Sequence, residues 1–151
     1  MDDFKRQHFM STNPGEKFPD STPLSDAECS GIRRNIAIAV GEGEASGVQL
    51  VKDISDRLVP DLSASALDGS FRVASLLRRH RLPFPCEVLI NWDDFTNIDR
   101  IGLAELDEFW EYIWYPSSDD IDVIDSGYRW MVSIDHDGRV GVLVLGQSDA
   151  M

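Results

Sequence analysis

Few residues in this chain have the type and spacing that chemistry requires. His136 stands in Asp135-His136-Asp137-Gly138, and an imidazole between carboxylates suits metal ligation or general-base work. It also falls where a turn is expected, and neither a partner base nor a pocket can be named for it. His8 and His80 are too isolated to complete a cluster with it. A second candidate is the acidic run Ser117-Ser118-Asp119-Asp120, followed by Asp122 and Asp125. Calcium loops alternate their ligands and place a Gly at the sharp turn; this run does neither, so no metal is expected. A helix-to-strand loop with Asx turns accounts for it. A recognition surface accounts for it too, because carboxylates on a rigid loop can take Arg or Lys from a basic protein.

Other motifs are missing. Gly41-Glu42-Gly43 has acids beside it and no dinucleotide-site helix pattern after it. No nucleophile elbow, CxxC pair or HExxH occurs, so no cofactor and no enzymatic reaction are expected, although a triad assembled in space leaves no linear trace. Trp92, Trp110, Trp114 and Trp130 suit core packing. Trp114 and Tyr115 lie beyond the clear apolar face of their helix, which makes them candidate aromatic anchors at an interface.

The elements that must hold these residues are clearest from Ile121 to Leu145. Asp137-Gly138 signals a two-residue hairpin turn, which places Trp130, Val132 and Ile134 opposite Leu145, Leu143 and Gly141. Ser126-Gly127 as a second turn places Ile121 and Val123 opposite Val132 and Trp130. Side chains alternate faces along a strand, so Ile121, Val123, Trp130, Val132, Ile134, Leu143 and Leu145 are predicted to share one apolar face. The opposite face, with Asp122, Ile124, Met131, Ser133, Val140, Val142 and Val144, is mixed. Cys86 to Trp92 reads as a further strand. A helix carrying Leu103, Leu106, Trp110 and Ile113 reads as starting near Asp99 or Thr96 and covering the sheet, with Glu105, Asp107, Glu108 and Glu111 on its outer side.

Upstream, Ser25-Asp26-Ala27-Glu28 is a capping box and opens a helix with Cys29, Ile32, Ile36, Ala39 and Val40. Val48, Val51, Ile54 and Leu58 recur at helical steps up to Pro60. Asp61 to Gly69 reads as a polar loop. Ser70 reads as the cap of a short helix with Phe71, Ala74, Leu76 and Leu77 inside and Arg72, Arg78, Arg79 and Arg81 outside. Residues 1–23, with Asn13-Pro14-Gly15, Pro19 and Pro23, read as a loose N-terminal arm before a single domain at 24–151. The predicted fold class is α+β: an antiparallel β-meander of three to four strands packed by helices.

Composition narrows the function. The net charge is −13, and Arg129 and Arg139 are the only bases against eleven acids from Ile101 onward. That field repels nucleic acid and anionic lipid and attracts basic partners, and it also serves solubility alone. The arginines of the short helix do not outweigh it, so direct nucleic-acid binding is not expected. No apolar run approaches a membrane span, and Met1-Asp2-Asp3 is acidic where a secretory signal is basic, so a cytoplasmic location is expected. Cys29 and Cys86 make no disulfide framework and are expected as buried, reduced thiols.

The run Trp114-Tyr115-Pro116-Ser117-Ser118-Asp119-Asp120, with Trp130 and Asp135-His136-Asp137-Gly138 after it, resembles the C-terminal half of small bacterial immunity proteins that neutralise polymorphic toxins. The resemblance spans about a quarter of the chain and implies a cytoplasmic, non-enzymatic inhibitor of one toxin domain. With the charge, it suggests a basic, nuclease-type toxin whose cleft is blocked. The expected partner-binding residues are Glu108, Glu111, Trp114, Tyr115, Asp119, Asp120, Asp122 and Asp125. The alternatives are a DNA-mimic inhibitor of a nucleic-acid-binding protein, whose carboxylates would follow phosphate spacing, and a small enzyme centred on His136.

Overall fold

The computed structural model describes residues 1–41 and 47–145. Glu42 and Gly43 of the Gly41-Glu42-Gly43 run, the Val48 side chain and Asp149 lie outside the described residues. The elements in chain order are α1 (Asp3–Thr12), β1 (Ser21–Pro23), α2 (Asp26–Ala39), α3 (Gly47–Arg57), β2 (Val59–Ser65), α4 (Val73–Arg79), β3 (Glu87–Asn91), β4 (Ile98–Gly102), α5 (Leu103–Glu108), α6 (Trp110–Ile113), β5 (Ile121–Asp125), β6 (Trp130–Ile134) and β7 (Arg139–Val144). The strands form one seven-stranded antiparallel sheet in the order β1-β4-β3-β5-β6-β7-β2. The fold is thus mixed α and β, with more strands than the three or four predicted.

Helices cover both faces of the sheet. Phe9 of α1, Leu76 and Leu77 of α4, Leu106 of α5 and Trp110 and Ile113 of α6 pack on Val88, Ile90, Val123, Trp130, Val132 and Val142. Ile32 and Ile36 of α2 and Leu50 and Ile54 of α3 pack on Leu89, Ile98, Ile124, Met131 and Leu143. The face that looked mixed in sequence is therefore the floor of a second core. The capping box of α2 forms as expected: Ser25 Oγ accepts the Glu28 N–H at 3.1 Å, and Glu28 accepts the Ser25 N–H at 3.0 Å.

Both predicted hairpin registers change. Between β6 and β7 the loop has three residues, with Trp130 opposite Val144, Val132 opposite Val142 and Ile134 opposite Val140. Asp135 causes this. Its Oδ1 accepts the N–H groups of Asp137 and Arg139, each at 2.9 Å, and closes the turn one residue earlier. Gly138 takes the left-handed conformation (φ +84°) that such a loop needs. A slip of one residue reverses facing, so Leu143 and Leu145 enter the second core while Val140 and Val142 join the first. Val123, Val132 and Leu143 therefore do not share a face. Between β5 and β6 the slip is two residues, with Val123 opposite Val132 and Ile121 opposite Ile134. An even slip preserves facing, so Ile121 and Val123 stay beside Trp130 and Val132.

Residues 1–23 are not a loose arm. α1 buries Lys5 and Phe9, Phe18 is 3 % exposed, and Ser21–Pro23 pairs with Asp99–Ile101 at one edge of the sheet. Asp61 to Gly69 is not all loop either, because β2 forms the other edge, where Pro60 removes no interior ladder bond. The helix expected from about residue 99 begins only at Leu103. Ile98–Gly102 is strand β4, and Phe109 interrupts the helical stretch that follows. Both cysteines are free, but only Cys29 is buried; Cys86 is exposed, contrary to expectation.

Candidate functional site

The eight expected partner-binding residues separate into distinct environments. Glu108 and Glu111 are exposed, and neither carboxylate makes an ion pair or hydrogen bond with a described residue. Trp114 is 2 % exposed, so it is part of the core rather than a projecting anchor. Its Nε1 donates to the Asp119 carbonyl at 3.0 Å, and its ring stacks on Trp110 with centroids 5.8 Å apart and planes 11° from parallel.

Tyr115 and Asp119 hold Lys5. The Lys5 ammonium donates to the Ile113 carbonyl at 2.7 Å and to Asp119 Oδ2 at 2.5 Å, and lies 3.9 Å from the Tyr115 ring centroid. Asp119 Oδ2 also accepts the Tyr115 N–H at 2.8 Å, and Tyr115 Oη meets His8 Nδ1 at 2.9 Å. Burial, with the Asp119 charge next, raises the Tyr115 pKa. The carboxylate and aromatic ring expected to grip a partner's cation are thus already gripping the chain's own.

Asp122 and Asp125 are also engaged inside the fold. Asp122 lies in register between Asn91 and Ser133, accepting from Asn91 Nδ2 at 3.0 Å and Ser133 Oγ at 2.5 Å. Burial raises its pKa against the pull of those two donors. Asp125 is 0 % exposed and closes the β5–β6 loop by accepting the Arg129 N–H at 3.0 Å and its guanidinium at 2.5 and 3.1 Å. Burial opposes its charge, but the Arg129 donors prevail and its pKa is lowered. Asp125 is thus enclosed rather than on the expected surface, and half-buried Asp122 is already bonded to two donors, so neither stands as a free surface carboxylate.

Asp120 is exposed and pairs with His136. Its Oδ1 accepts the His136 N–H at 2.7 Å and meets His136 Nδ1 at 2.9 Å. The Ser117 N–H donates back to the His136 carbonyl at 2.8 Å, so loop 117–120 is laced to the β6–β7 turn. The hydrogen bond to Asp120, then the charges of Asp120 and Asp137, raise the His136 pKa.

An open groove of about 250 Å³ lies between segment 66–72 and α5–α6. Ala66, Leu67, Asp68, Gly69, Arg72, Asp107, Glu108, Trp110, Glu111, Trp114 and Pro116 line it. Asp107 is 8 % exposed and caps α4, accepting the N–H groups of Val73 at 2.6 Å and Ala74 at 3.0 Å, where Ser70 was expected to act. Burial raises its pKa against those two donors and Arg72. Asp68 Oδ1 accepts from the Ser70 N–H at 2.9 Å and its hydroxyl at 2.8 Å, and these bonds hold its pKa below the ordinary range. Arg72 Nη1 donates to the Phe71 carbonyl at 2.7 Å.

Glu108, Glu111 and Trp114 were anticipated from sequence and meet in this groove; Leu67, Asp68, Arg72 and Trp110 were not. Residues 66–69 had no signal beyond polarity, Arg72 was read only as part of an outer basic face, and the tertiary fold brings both against α5 and α6. Among the described residues no cluster of three or more His, Cys, Asp or Glu is arranged to hold a metal, and no helix is long and apolar enough to cross a membrane. No family model, no curated protein and no solved structure matches this chain, so a functional reading rests on its own geometry.

Proposed function

We propose that the protein is an acidic binding module that neutralises a basic protein partner, in the manner of an immunity protein that blocks the positive cleft of a nuclease-type toxin. The observation that carries this reading is the pair of exposed, unpaired carboxylates Glu108 and Glu111 on the lip of the groove, in a chain of net charge −13. Carboxylates bonded within a fold lend little to a partner. Those left unpaired beside a concave surface steer encounter and fix orientation. Asp120, exposed on its laced loop, extends the acidic face. Trp114 supports the groove from beneath and Tyr115 orders the loop through Lys5, so both act here by shaping the surface.

The test uses a purified basic nuclease-type toxin domain as the trial partner. Association is expected to slow steeply between about 0.05 and 0.5 M salt, because a Debye length near 10 Å at 0.1 M shortens to about 4 Å. A Glu108→Lys/Glu111→Lys/Asp120→Lys variant is expected to fold and to lose inhibition. Full inhibition by that folded variant would remove the reading.

A further inference from the structure

The groove has features that identify what it takes. Its volume of about 250 Å³ lies below the roughly 300–1,000 Å³ of small-molecule sites, which suits one inserted side chain rather than a whole ligand. Its walls are of two kinds. Leu67, 59 % exposed, supplies the apolar wall above the edges of the buried Trp110 and Trp114 indoles, while Asp68, Glu108 and Glu111 supply charge. Arg72 is the one base among the lining residues, and it donates to the backbone carbonyls of Phe71 and Gly69. Asp68 is bonded to Ser70, whereas the exposed carboxylates of Glu108 and Glu111 pair with no cation among the described residues.

We infer that this groove seats an arginine side chain of the basic partner, its aliphatic stem against Leu67 and the indoles and its guanidinium spanning Glu108 and Glu111. The inference rests on the acidic-binding reading above and names the chemistry of its contact. Arginine fits better than lysine for a physical reason visible in the same molecule. Lys5 shows what an ammonium needs here: a closed seat with a carbonyl, a carboxylate and a ring face converging on one point. The groove is open, and its two lip carboxylates come from positions three residues apart on either side of the Phe109 break. A planar fork with five donors can address both, and it sheds its hydration more readily than an ammonium. The stem gains from apolar walls that a short contact would leave wet.

Two probes test this, an octa-arginine and an octa-lysine peptide of equal charge, titrated against the full chain with the four tryptophan indole N–H signals and the leucine methyls followed by NMR. The arginine peptide is expected to bind about tenfold more tightly and to shift Trp110 and Leu67 while leaving Trp92 in place. Glu108→Gln/Glu111→Gln is expected to erase that preference with no change in the unfolding midpoint. Equal affinity for the two peptides would overturn the assignment, as would an arginine-peptide complex in which the Trp110 indole signal stays in place. In those outcomes salt-dependent binding persists and the acidic-module reading stands. If neither peptide binds and the basic nuclease domain is ignored as well, both fall together.

Discussion

Asp119 and Asp125 lie eight to seventeen residues beyond Glu108 and Glu111 in the chain, and all four bring the same charge. Their surroundings differ completely. Asp119 faces a buried ammonium, and Asp125 is fully enclosed behind Arg129, whereas the two glutamates stand exposed and unpaired. Side-chain length accounts for much of this. An Asp carboxylate sits close enough to its own backbone to accept N–H groups two to four residues away, as Asp135, Asp68 and Asp125 do. Glu108 and Glu111, on longer side chains, stand exposed instead, whereas Glu28 reaches back to Ser25. Acidic residues in this protein thus do two kinds of work, closing loops and projecting a field, and net charge alone cannot distinguish them.

The comparison breaks most visibly at Lys5. Lys5→Met leaves Asp119 and the Ile113 carbonyl without their buried donor, and a loss of about 3 kcal/mol in unfolding free energy is expected from urea titration. Glu108→Gln/Glu111→Gln should stay within about 0.5 kcal/mol in the same measurement. If the lysine variant were equally silent, Asp119 would belong with the exposed glutamates and the division would fail.

A smaller effect is expected at Asp125. Asp125→Ala removes the acceptor that closes the β5–β6 loop, for a loss of about 2 kcal/mol read as a lowered melting temperature. The Asp125 pKa is lowered in the fold, as is that of Asp61, where burial pushes upward but Arg79, Ser63 and His80 hold it far below the ordinary range. A depressed carboxylate stabilises the fold above its unfolded pKa of about 3.9 and ceases to do so as pH falls through the folded value. Wild type should therefore lose stability in acid, and Asp125→Ala should lose less of it over the same range.

The smallest effect belongs to His136, whose pair with Asp120 lies at the surface. Its raised pKa means the stabilising contribution is complete below about pH 6.5 and fades as pH rises through the folded value. An NMR titration of the imidazole should give a midpoint above that of an unstructured peptide, and Asp120→Asn should lower it toward the reference, with Asp137 and Asp135 still raising it. An unchanged midpoint in that variant would show that loop 117–120 is not held by this contact.

Legibility followed the range of the interaction. The Ser25–Glu28 cap, the helices with buried residues at three- and four-residue steps and the strand at residues 87–91 were readable because each is decided within one or two turns of chain. The Asp137-Gly138 signal located a turn correctly but not its length, because Asp135 competes for the same N–H groups. β2 and β4 were missed for a different reason. Pro60 reads as a stop unless the strand is known to be an edge, and Ile98–Gly102 reads as the front of a helix unless β3 is known to lie beside it.

The candidate groove divides in the same way. The glutamates and Trp114 were visible as a charged and an aromatic signal on one helical stretch. Asp68 and Leu67 had to wait for the fold, and Lys5, read as part of a loose arm, proved to be the internal cation that occupies Asp119. By itself the sequence determined the charge, the acidic bias of the last third and the local caps and turns, because these depend on residue type and near neighbours. Tertiary structure alone decided which carboxylates are occupied and which remain available, since that depends on donors brought from more than a hundred residues away in the chain, as with Lys5 and Asp119.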